Sequence, residues 1–235
     1  LLLAAFLLVP TVEPDAETLL FNSGYSSPYS TTESDGILER ILAEACKRIG
    51  YEASFRQVPA ERALLEANTG IADGVVARVP GIESTYPSLI FVPSATIPRR
   101  DFVAFTLDPR IAIGRWVNLS GHDVAIVRGW KIVEANVPGS ASTVRAESTE
   151  LAFRLLKRHR TDVVVNARLD GLDMARRLGI EEVIVHDPPL ASLSLYPYLH
   201  PSRAALVPLL AKALNEMKAD GTFQAIYDAA MPGSW

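Results

Sequence analysis

Arg78 closes the apolar run Gly74-Val75-Val76-Ala77, where a guanidinium needs a partner. Its planar fork suits the carboxylate or phosphate of a ligand; the alternative is a carboxylate of the chain itself, Glu61 or Asp73. Tyr25 and Tyr29 stand in the loop after the first apolar run, Thr18 to Asn22, where crevices of open α/β sheets take ligands. Each offers a ring for stacking and a hydroxyl for hydrogen bonding, or else packs the loop. Ser26 and Ser27 can donate hydrogen bonds, although serines beside Pro28 also suit plain turn chemistry. A further group, Arg128-Gly129-Trp130-Lys131, follows the run Asp123 to Val127 and leads into a helix. Trp130 is there a stacking face or a packing residue, and Trp116 poses the same choice more weakly. Asn166, at the end of Val163-Val164-Val165, both donates and accepts and suits a neutral polar group. The chemistry these residues offer is noncovalent recognition of a small polar molecule, anionic or zwitterionic.

Other chemistries find little support. There is no G-x-S-x-G elbow, P-loop or G-x-G-x-x-G. Ser120-Gly121-His122 lacks the third group that would orient a nucleophile and base, and reads as a turn. A general acid or base would have to be Glu61 or Glu83. The single Cys46 forms no internal disulfide, and the four histidines show no pair at helical ligand spacing, so neither a metal nor another cofactor is expected. Lys and Arg number 23 against 27 Asp and Glu, a net charge of −4 that gives no drive toward nucleic acid. Lys157-Arg158-His159-Arg160 reads as a helix end whose cations favour the dipole.

Positioning these groups requires alternating strands and helices. Apolar residues at Ile37, Leu38, Ile41, Leu42, Ala45, Cys46 and Ile49 predict a helix, with Asp35 as N-cap and Gly50 just past its end. Tyr51 to Val58 alternates as a strand, and Pro59 opens a helix to Asn68. Further strands are predicted at 74–77, 123–127, 162–165 and 183–185, with extended pieces at 89–93 and 101–107. Helices are predicted at 150–158, 169–178, 203–218 and 221–230. With 235 residues, 49% of them hydrophobic, the chain can bury a large core or two smaller ones. The apolar, proline-flanked segments at 99–107 and 190–199 bracket a middle unit, and the last two helices have no strand between them. That order describes an α/β architecture of two lobes joined by two crossing strands, a hinge that closes around a ligand. Lobe 1 is placed at 17–103 and 198–235, and lobe 2 at 104–197. Leu1 to Val9 is uninterruptedly apolar and too short to span a membrane, so 1–16 is read as the remnant of a secretory signal peptide and the chain as periplasmic. A buried N-terminal strand or helix is the alternative.

Several segments resemble the extracellular solute-binding proteins of family 3, the receptors of amino-acid-type ABC importers. They are FNSGYSSPYS, GILERILAEACKRIGYEASF, GIADGVVARVPGIESTYPSLIFVP, LSGHDVAIVRGW, TDVVVNA and LLAKALNEMKADGTFQAIYDAAM, in family order over about residues 18–231. The resemblance implies the type II periplasmic binding protein fold, two mainly parallel α/β lobes with a cleft between them, without enzymatic activity. It also implies a monomer that delivers its solute to an ABC permease, which the basic cluster at 157–160 can touch. Tyr25, Tyr29, Arg78, Arg128, Trp130 and Asn166 are the expected ligand contacts; in the family the turn at Arg128 to Lys131 presents backbone N–H groups to an anion.

Two departures bear on the solute. The family's Thr-x-x-Arg reads here as RVPGIESTYP with no arginine after the threonine, so Arg78 is the substitute. The acid that ends the DAVV-type strand is missing from DVVVNA. Both speak against a standard α-amino acid held in the usual way. A sensor domain, a dehydratase-like enzyme or a protein that no longer binds solute remain alternatives on the same fold.

Overall fold

Hydrophobic periodicity sets the frame of the computed structural model, which describes residues 16–128 and 130–230. The chain opens with strand β1 (Thr18–Ser23), helix α1 (Ile37–Arg48), β2 (Glu52–Gln57), α2 (Ala60–Asn68) and β3 (Gly74–Arg78). β1 pairs in parallel with both β2 and β3. The predicted apolar face of α1 is fully buried at Ile37, Leu38, Ile41, Leu42, Ala45 and Cys46. Its N-cap is Gly36 and not Asp35, because Asp35 is taken up with Thr31 and Arg40. Gly50 follows the helix at φ 81°, as its predicted place requires. Burial pushes the Cys46 thiol up to about 12, which makes it an inert core residue.

Short β4 (Ile90–Phe91) leads to β5 (Ile97–Thr106), the longest strand. Beyond it come β6 (Asp123–Val127), α3 (Lys131–Asn136), β7 (Ser142–Ala146), α4 (Thr149–Lys157), β8 (Val163–Ala167), α5 (Arg168–Arg177) and β9 (Ile184–Val185). The chain returns through β10 (Ala191–Leu199) and ends in α6 (Val207–Ala219) and α7 (Thr222–Ala230). The predicted helix from 203 begins instead at Val207, since Pro201–Leu206 winds as a 3-10 turn. β7 has no counterpart among the predicted strands.

Strand order is β2-β1-β3-β10-β5-β8-β6-β7, with β4 on β10 and β9 on β5. β8, β6 and β7 run parallel, and β5 lies antiparallel to both β8 and β10. The two long strands therefore link a β1-centred half to a β6-centred half. β10 pairs β5 over Ala191 to Leu195 and β3 over Tyr196 to Leu199, with a register irregularity in each stretch. α6 and α7 return to the first half, where Leu210, Leu214, Met217, Phe223 and Tyr227 share a core with Leu19, Phe21 and Ile41. Each such side chain contributes about 1.5–3 kcal/mol on burial. The second half packs separate clusters on the two faces of its sheet, one around Phe102, Ile126 and Val165 and the other around Phe105, Phe153 and Val164. None of the described helices is long and apolar enough to cross a membrane. The apolar run Leu1 to Val9 lies outside the described residues.

Candidate functional site

A cleft of about 300 Å³ opens where the two halves meet, walled by Gly24, Tyr25, Ser26, Ala60, Arg78, Arg100, Trp130 and Asp170. On the first half, β1 ends and the chain turns at Gly24, which must lack a side chain. A Cβ there would stand 2.6 Å from the Ala60 Cα and 2.8 Å from the Arg78 Nη2. This close approach brings the start of α2 against the end of β3. Arg78 is 8% exposed and held by backbone alone, its Nη1 donating to the Ala77 carbonyl at 2.7 Å and its Nη2 to the Ala60 carbonyl at 3.0 Å. Neither sequence-predicted carboxylate partner reaches it. Glu61 accepts the Tyr86 hydroxyl at 2.6 Å, and Asp73 accepts the Leu20 N–H and the Arg203 side chain. Among the described residues Arg78 forms no ion pair, so it brings an uncompensated positive charge to the wall.

Facing it is Arg100 from β5, 6% exposed. Its Nη2 donates to Asp170 Oδ1 at 3.1 Å; Asp170 Oδ2 lies equally near but accepts no hydrogen bond of proper geometry. Arg100 Nη1 is buried without a hydrogen-bond partner. Asp170 occupies the first turn of α5, and the next residue, Gly171, lets that helix close on β5, since a side chain there would run into the Phe105 ring. Burial works against the Arg100 charge, yet Asp170 and the facing tyrosines outweigh it and hold the guanidinium above its ordinary pKa. Burial pushes the Asp170 carboxyl upward against the pull of Arg100.

Aromatic rings complete the walls. The Tyr25 centroid is 5.5 Å from the Arg78 guanidinium carbon and 5.3 Å from that of Arg100. Trp130 approaches Arg100 at 5.6 Å and meets Phe102 edge to face.

Of the sequence-predicted contacts, Tyr25, Arg78 and Trp130 come together on the cleft. Tyr29 lies behind it, 1% exposed, with its ring 4.8 Å from the Arg100 guanidinium, so it supports the wall instead of forming it. Burial raises the Tyr29 phenol pKa well above its usual range. Arg128 falls outside the cleft: its N–H continues the sheet to the Ala146 carbonyl and its exposed side chain pairs with Glu147 at 3.0 Å. The parallel pairing of β6 with β7, not read from sequence, consumes one of the turn's N–H groups that the resemblance assigns to an anion. Asn166 is also outside, fully buried in β8, donating to the Thr149 hydroxyl at 3.3 Å with its Oδ1 unpartnered.

Arg100 and Asp170 escaped the sequence reading. The available signal was strand alternation: Arg99 pairs outward with Asp101, so Arg100 must point the other way. The described residues contain no cluster of three or more His, Cys, Asp or Glu able to hold a metal.

No protein-family model matches the chain. The ABC transporter arginine-binding protein 1 of Escherichia coli is 28% identical over 227 residues, 90% of each protein. Among solved structures, the GluR0 ligand-binding core in complex with L-glutamate superposes with a TM-score of 0.78 at 12% identity, covering 92% of this chain and 99% of its own. A histidine kinase sensor domain with similarity to periplasmic binding proteins gives 0.74 at 18% identity, covering 92% and 97%. The architecture is the α/β fold of type II periplasmic binding proteins, and the cleft lies where its two halves meet.

Proposed function

We propose that this chain is a periplasmic solute-binding protein of family 3 that closes two lobes on a small anionic or zwitterionic solute and delivers it, as a monomer, to an ABC permease. The lobes are 17–103 with 198–235, and 104–197, with β5 and β10 as the hinge. The observation that carries the reading is Arg78: a guanidinium fixed by two carbonyls on a cleft wall, with no ion-pair partner among the described residues. A solute carboxylate completes it with charge-assisted hydrogen bonds. Arg78 and Arg100 against Asp170 leave the cleft one positive charge in excess, which a monoanion cancels. The arginine named in the E. coli relative is a poor candidate here, because a further cation would meet two guanidiniums. Neither candidate general acid or base, Glu61 or Glu83, lines the cleft, and Glu61 is engaged by Tyr86.

Thermal unfolding against amino acids, organic acids, polyamines and short peptides tests the reading. A solute at about 100 times its Kd adds about 2.7 kcal/mol, a rise of roughly 5–10 °C for a chain of this size. Carboxylate solutes should give that rise in the wild type and lose it in Arg78→Met. A response confined to polyamines, or silence from a folded protein, overturns it.

The second reading is a ligand-sensing domain, favoured by the likeness to the kinase sensor domain. It shares the cleft and differs in the partner: co-purification with a permease supports transport, and with a membrane kinase supports sensing.

A further inference from the structure

Arg100 is bound by this protein as a ligand would be. Arg48 and Arg203 are each held by two carboxylates, Arg48 by Glu44 and Asp220 with the Thr222 hydroxyl beside them, and Arg203 by Asp73 and Glu17. The Arg100 guanidinium carbon instead lies within 4.8 to 6.0 Å of the ring centroids of Tyr29, Tyr25, Trp130 and Phe102. One carboxylate, Asp170, meets it, and one of its amino groups is buried with no hydrogen-bond partner. Aromatic faces around a single carboxylate form a site for a desolvated cation. Its parts arrive from four separate places: the loop after β1, β5 itself, the turn after β6 and the first turn of α5. Only the β5 strand tethers the occupant.

We propose that these residues form a cation-binding subsite of the cleft which the chain fills with its own Arg100. Filled, the subsite shuts the cleft to guanidinium and ammonium solutes; this part rests on the solute-binding reading. Vacated, it accepts free guanidinium compounds, and that part stands without it.

The test is the melting temperature of Arg100→Ala with methylguanidinium chloride, against equal concentrations of sodium chloride and urea. At about 50 mM the variant should gain roughly 2–4 °C over both controls while the wild type, whose subsite is occupied, does not. An equal response of the two proteins, or none from the folded variant, overturns the proposal. Because Asp170 left alone among the rings can prevent folding, Arg100→Ala/Asp170→Asn is measured in parallel. It keeps the rings without the buried charge and should show a smaller gain of the same sign. If neither variant recovers native near-ultraviolet dichroism or gains stability with methylguanidinium, the subsite is not one. Solute binding by the wild type without rescue of the variants refutes the subsite and leaves the solute reading intact. Rescue alongside a wild type silent to every solute does the reverse.

Discussion

The two walls of the cleft hold the same chemical group in opposite ways. On the first half, Arg78 is fixed by the carbonyls of Ala77 and Ala60 and keeps its full charge. On the second, Arg100 is neutralised by Asp170 and covered by rings. Backbone carbonyls orient a guanidinium without cancelling it, whereas a carboxylate does both. Position within an element decides which occurs: the end of β3 borders the start of α2, which offers a carbonyl, while the middle of β5 faces α5, which offers Asp170 in its first turn. Under the proposed function, anion recognition falls to Arg78 and cleft structure to Arg100.

Removing the carboxylate from the second wall should have the largest effect. Asp170→Ala strands a buried guanidinium and should cost about 3–5 kcal/mol, or some 10 °C of melting temperature. A loss under 1 kcal/mol in urea unfolding would mean the two walls are alike. Arg78→Met should do the opposite, leaving stability nearly unchanged while weakening a carboxylate solute on the order of 100-fold by calorimetric titration. Should Arg78→Met unfold the protein as readily as Asp170→Ala, the contrast fails.

Gly24→Ala is an intermediate case. Its methyl presses on Ala60 and on the Arg78 Nη2, so both stability and solute affinity should fall, each by about 1–3 kcal/mol. The smallest effect is that of pH. One such response should arise outside the cleft, at His186. Burial lowers the His186 pKa, and its ring bonds the Thr106 hydroxyl at 2.9 Å. The unfolded chain then binds more protons than the folded one, so stability holds above about pH 6.5 and fades as pH falls toward the folded value. His186→Gln should flatten that slope; a slope unchanged in His186→Gln would move its origin elsewhere.

Much of this organisation was legible in the residues, for reasons that also mark its limits. The face of α1 and the apolar runs of β6 and β8 announce themselves because each buries a continuous hydrophobic set. β7 did not, since its Ser142-Thr143-Val144-Arg145 is mostly exposed at the sheet edge and carries no apolar pattern. Within the site, Arg78 stood out as a charge ending an apolar strand. Asp170 could not, because its importance comes from Gly171 letting α5 approach β5, a contact across more than sixty positions of chain. At Arg128 the sequence shows the turn but not the Ala146 carbonyl that takes its N–H.

The most direct test of the account is a coupling measurement at Arg78. Each carboxylate solute that raises the melting temperature is titrated calorimetrically, with its carboxamide counterpart, into the wild type and into Arg78→Met. If the carboxylate rests on Arg78, the acid-over-amide preference of the wild type should shrink at least about tenfold in the variant, a coupling near 1.4 kcal/mol. An acid-over-amide preference equal in the two proteins would contradict the account and move the anion site elsewhere in the cleft.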